Sequence, residues 1–148
     1  MSYQEKKSIV SLISTIFIFT AYCLYMYPRH PGGGLESAET FHYWGSFVLI
    51  LTLFSVFAQI IISIIFTIFF RITTREKVPS FEDELDKLIG LKAFRNAFFV
   101  FVSGFLFSMG SLVFYEPSQA MFIILIASGF LADVFGSMTR LYHYRKGV

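Results

Sequence analysis

Four long apolar runs, separated by short polar stretches, leave this chain few ways to fold. Ile9 to Tyr27, Tyr43 to Phe70, Ala93 to Tyr115 and Ser118 to Thr139 hold 19, 28, 23 and 22 residues. A helix rises about 1.5 Å per residue and a bilayer's hydrocarbon layer is about 30 Å thick, so roughly 20 apolar residues cross it once. Hydrocarbon offers the backbone no hydrogen bonds, which selects helix for each run. A water-soluble helical protein would need a charged face on its helices, and the four runs lack one. Only 15% of the 148 residues are charged and 55% are hydrophobic, against the roughly 25% charge of an average soluble domain. The expected fold is therefore all-α: residues 1–148 as one domain, an integral membrane bundle of four transmembrane helices.

Charge orients that bundle. Lys6, Lys7, Arg71, Arg75, Lys77, Lys87, Lys92, Arg95, Arg140, Arg145 and Lys146 fall on one side of the alternating spans, and only Arg29 falls on the other. Short basic loops stay cytoplasmic, so the expected topology is N-in/C-in. Tyr25, Tyr27, Tyr43 and Trp44 then sit at the outer headgroup level and Tyr142 and Tyr144 at the inner one, as amphipathic rings do. The net charge of +2 is not a nucleic-acid signal, because the basic residues flank spans. The expected partners are the lipid bilayer, its anionic headgroups, and a further copy of the chain or another membrane protein. Lys6 and Lys7 before an apolar run resemble a signal peptide, but the bulky stretch Cys23 to Tyr27 is a poor cleavage site, and the run is expected to stay as the first span. Cys23 is the single cysteine, so no intramolecular disulfide is expected.

The loops have their own chemistry. Pro28-Arg29-His30-Pro31-Gly32-Gly33-Gly34 ends the first helix in a flexible outer turn. A phosphate loop would need a preceding strand and a Lys-Ser/Thr pair, and His30, His42, Glu36 and Glu39 match no metal-ligand spacing. On the inner side Ser80 precedes Phe81-Glu82-Asp83-Glu84, a capping pattern with acids on the positive end of the helix dipole. Phe81, Leu85, Leu88 and Ile89 follow at helical spacing. The pattern predicts a short cytoplasmic amphipathic helix over 80–89, lying on the membrane face between the second and third spans until Gly90 turns the chain. With the aromatic-basic tail that ends in Arg145 and Lys146, it makes an interfacial docking surface. Tyr115-Glu116-Pro117-Ser118 is too short to let another helix between the third and fourth spans, which must be antiparallel neighbours.

Polar residues inside the spans are the candidate sites. Ser55, Gln59, Ser63 and Thr67 recur every four residues and share one helix face, which should look into the bundle, either as interhelical hydrogen-bonding groups or as the lining of a polar path. Ser8, Ser11, Thr15 and Tyr22 form a looser seam on the first span. Asn96, Ser103, Gly104, Ser108 and Ser111 mark the third, and Ser128, Ala132 and Gly136 allow close helix approach on the fourth. Asp133 stands apart. It lies seven residues, about 10 Å of helix, before Arg140, where an unpaired carboxylate costs roughly 3 kcal/mol. Lys92, Arg95 and Asn96 at the start of the third span are its expected partners; a proton- or cation-coupling role is the alternative.

Catalytic constellations are missing from the sequence: no HExxH, no CxxC, no carboxylate pair within a span. No catalytic residue, metal or cofactor is expected. A membrane interaction or regulatory protein is the leading expectation, with a small oligomeric transporter or channel, its path near Gln59 and Asp133, as the alternative.

The stretch Phe81-Glu82-Asp83-Glu84-Leu85-Asp86-Lys87-Leu88-Ile89-Gly90-Leu91-Lys92-Ala93, followed by two spans and the ending Arg140-Leu141-Tyr142-His143-Tyr144-Arg145-Lys146-Gly147, resembles a prokaryotic family of small multi-span membrane proteins with no settled activity. An acidic segment leading into a lysine-alanine pair before the penultimate helix, and an aromatic-basic tail, carry the likeness across the C-terminal half. The resemblance implies a prokaryotic cytoplasmic (inner) membrane protein and no mechanism.

Overall fold

The computed structural model describes residues 2–29, 38–75, 84–115 and 117–147. They form four helices, α1 Tyr3–Met26, α2 Ala38–Thr74, α3 Glu84–Val113 and α4 Ser118–Lys146, with a single 3-10 turn, Tyr27–Arg29, after α1. Each of the four is long and apolar enough to cross a bilayer.

Every helix is longer than the apolar run inside it, because polar ends extend it. Ser2 caps α1 and its hydroxyl accepts from the Glu5 N–H at 3.2 Å, so the helix begins six residues before the run. Ser2 and Glu5 have the spacing of a capping box. In α2 the 37 residues make about 56 Å of helix, well beyond the roughly 30 Å of hydrocarbon. Arg75, with φ 54°, closes it in the left-handed region. Pro117 stands in extended conformation just before α4 and its carbonyl accepts from Ala120. Gly147, φ 75°, ends α4 with its N–H on the His143 carbonyl, the left-handed cap that glycine adopts without strain.

Between α2 and α3 the structure differs from the expected short helix over 80–89. Glu84–Val113 is one continuous helix, so the described part of the 80–89 segment is the first turns of α3, and no separate short helix appears among the described residues. Gly90 does not turn the chain. Ile89 is fully buried and Ala93 almost so, and that packing against α4 keeps helical a site where glycine alone would favour a break. Residues 80–83, Phe81 among them, lie outside the described residues.

Neighbouring helices run antiparallel. Tyr3 meets Phe66 and Phe70 while Tyr22 meets Phe47, which sets α1 against α2. Asn96 meets Thr139 while Ser108 meets Met121, which sets α3 against α4. Tyr3, Thr74, Glu84 and Lys146 therefore lie at one end, here called the terminal end, and Arg29, Ala38, Val113 and Ser118 at the other, the hairpin end.

The α3/α4 hairpin is the tightest pair. A methyl group on Gly104 would run into Ser128 Oγ and Cβ and come within 3.3 Å of the Ser128 Cα, and Ser128, Ala132 and Gly136 are all buried on this face. The α1/α2 hairpin docks on α4, mainly through α1 and also through α2 at the hairpin end. Among the described residues α3 touches neither α1 nor α2, so the bundle is open and its packing order is α2–α1–α4–α3.

The joint between hairpins is aromatic. Phe19 stacks on Phe130 with centroids 4.1 Å apart, and Trp44 and Phe41 meet Phe122 at 6.1 and 6.2 Å. Tyr22, Met26, Trp44 and Phe47 form a buried cluster beside them at the hairpin end. In α2 the buried positions, Thr40, Trp44, Phe47 and Phe70, lie only near its two ends. Its middle exposes Leu49, Leu53, Phe57, Ile60, Ile61 and Ile64, a surface that water would penalise and hydrocarbon does not.

Candidate functional site

The α2 stripe faces α1, as its period requires. Gln59 Nε2 donates to Thr15 Oγ1 at 3.0 Å, and Thr15 donates its own proton to the Ser11 carbonyl at 2.9 Å. About two turns from the terminal end of α2, Thr67 Oγ1 donates to the Ser63 carbonyl at 2.9 Å, so the 3.1 Å contact between Tyr3 and Thr67 has Tyr3 Oη as the donor. Ser55 and Ser63 are half-buried on the same face. Between α3 and α4, Asn96 Nδ2 donates to Thr139 Oγ1 at 3.2 Å while Thr139 donates to the Phe135 carbonyl. Of the four stripe residues, Gln59 and Thr67 thus bond α2 to α1.

Tyr3 and Thr139 were not singled out by the sequence reading. Tyr3 precedes the first apolar run by six residues and Thr139 is the last residue of the fourth. Their signal is positional: a threonine or tyrosine on the face that already carries a neighbour's amide or hydroxyl.

Asp133 is exposed. Among the described residues it forms no hydrogen bond or ion pair with Lys92, Arg95 or Asn96, and Asn96 is turned to Thr139 instead. The reason is helical register. The face of α4 that meets α3 is Ser128–Ala132–Gly136, and Asp133 follows Ala132 by one residue, about 100° around the axis. It lies nearly in line with Ile126, seven residues or two turns away, on the flank that meets the α1/α2 hairpin, α2 through Phe122 and α1 through Phe130. Asp133 falls one turn beyond Phe130 toward the terminal end. Counting along the antiparallel α1 from Phe19, its depth is that of Ile16 and of the Thr15–Gln59 bond.

The described residues read as interfacial, Leu85, Leu88, Arg145 and Lys146, lie at the terminal end of the α3/α4 hairpin. Leu85 and Leu88 are exposed on the first turns of α3, beside the end of α4, where Arg140, Arg145 and Lys146 are exposed. Lys146 Nζ donates to Tyr142 Oη at 2.9 Å and lies 5.3 Å from that ring. On the other hairpin Lys6 lies over the Phe70 ring at 5.6 Å. Every described basic residue except Arg29 is at this end or within the terminal-end turns of α3, and Arg29 stacks over Tyr25 at 4.0 Å at the hairpin end. Among the described residues no group of three His, Cys, Asp or Glu is placed to hold a metal ion.

Compared with family models, with curated proteins and with solved structures, the chain matches none.

Proposed function

We propose that the chain is a non-catalytic, four-span protein of a prokaryotic cytoplasmic membrane, N-in/C-in, that works by docking: it holds a membrane-protein partner, or further copies of itself, and binds anionic headgroups at its inner face. One observation carries the reading. The terminal end gathers exposed Leu85 and Leu88 with exposed Arg140, Arg145 and Lys146 on one hairpin. Apolar side chains flanked by basic ones suit a headgroup layer or a partner's acidic surface. The same end carries nearly all the positive charge, which supports its cytoplasmic placement.

A transport reading has less support. Gln59, the most polar member of the α2 stripe, has its amide on Thr15, and no charged residue is buried among the described residues.

Affinity purification of the full chain in mild detergent tests the proposal. A stoichiometric membrane-protein partner or a defined oligomer is the expected result. A strict monomer that captures nothing would overturn it.

A further inference from the structure

We infer that Asp133 is the docking point for a transmembrane helix of another protein, one that carries a lysine or arginine at the same membrane depth. This rests on the docking role proposed above and names the chemistry of the partner.

The Asp133 carboxyl is about 10 Å of helix from Arg140, within the apolar stretch of α4, and exposed on the helix flank. Among the described residues its own chain supplies no cation there. Lys92 and Arg95 belong to α3, which packs on a different face of α4, and no ion pair joins them to Asp133 among the described residues. A carboxylate at this depth is matched when a basic side chain from a neighbouring helix meets it, and intramembrane ionisable groups are found paired for that reason.

A second copy does not fit the chemistry. Two copies related by an axis along the membrane normal bring residues of equal depth together. At the depth of Asp133 the register places Thr15 and Ile16 on α1 and Gln59 on α2. On α3 it places Val100, counting from the approach of Gly136 to Ala97. None is cationic, the Gln59 amide already serves Thr15, and two Asp133 carboxyls would face each other. Charge complementarity therefore selects a partner that differs from this chain.

Access also fits. The ring contacts that tie the two hairpins together among the described residues end at Phe130. Asp133 is one turn past them and is exposed on α4.

The test uses the full chain in lipid vesicles, labelled at the terminal end, and a labelled single-span leucine-alanine probe helix. One probe carries a lysine about 10 Å from its cytoplasmic boundary, a second carries it at the opposite half, and a third is apolar throughout. Energy transfer should show the depth-matched lysine probe bound about tenfold more tightly than the apolar probe, the size expected of one strong interhelical polar contact. The difference should vanish with Asp133→Leu and shrink with Asp133→Asn, both checked for unchanged helix content and thermal unfolding. Equal binding of the three probes, or a lysine preference that survives Asp133→Leu, would overturn the inference. So would self-association of the unprobed chain that Asp133→Leu abolishes, since the occupant would then be a second copy. A partner recovered equally well by wild type and Asp133→Leu in detergent would leave the docking role standing and remove Asp133 from it.

Discussion

Gln59 donates to Thr15 across 3.0 Å while Thr15 gives its own proton to the carbonyl four residues back. The same device recurs at Tyr3–Thr67 and Asn96–Thr139. A helical threonine can satisfy its O–H within its own helix and still offer a lone pair sideways. Three helix contacts are thereby polar without leaving a hydroxyl proton unmatched in hydrocarbon, where an orphan donor would be costly.

That pairing makes the first prediction. Gln59→Leu and Thr15→Val should each lower stability by about 0.6 to 1.7 kcal/mol, the range measured for interhelical hydrogen bonds in membranes. The double variant should lose little more than the worse single one, in reversible unfolding from mixed micelles. Losses that simply add would show that the two side chains are not coupled.

Close approach of α3 to α4 makes the second. Gly104→Ala should cost about 1 to 3 kcal/mol, because Ser128 leaves no room for a methyl. Gly110→Ala, on the same helix but with open space around it, should change stability by less than about 0.5 kcal/mol. Adding Ser128→Gly to Gly104→Ala should restore part of the loss. Equal effects at the two glycines would contradict the packing.

The aromatic joint can be measured by cutting the chain between Arg75 and Glu76 and coexpressing the two hairpins. Phe122→Ala and Phe130→Ala should each weaken their reassociation by about 1 kcal/mol, roughly fivefold. Phe107→Ala is the control, since that ring is 74% exposed. If Phe107→Ala weakens reassociation as much, the hairpins meet on another face.

Topology yields the fourth prediction. In a Cys23→Ala background, a cysteine placed at Gly33 should react with an impermeant maleimide in intact cells, whereas one at Gly147 should react only after the membrane is opened. The reverse pattern would invert the proposed orientation and place the Leu85–Lys146 surface outside.

How much of this was legible beforehand depends on which physical term decides each feature. Four helices, each containing most of one apolar run but five to nine residues longer than it, and the facing of the Ser55–Gln59–Ser63–Thr67 stripe toward a neighbour follow from the sequence alone. Hydrophobic run length and the four-residue spacing are local properties, and hydrocarbon tolerates no other backbone. The charge bias toward one end is local too. Tertiary packing decided the rest. Nothing in the runs says that α2 and α3 stand at opposite edges, because apolar faces gain equally from lipid and from protein, and steric fit such as Gly104 against Ser128 chooses the pairs. Gly90 stays helical because Ile89 and Ala93 are buried beside it. Asp133 turns from α3 for the same reason: Ser128, Ala132 and Gly136 take that face for close approach, and helical geometry carries the next residue about 100° away.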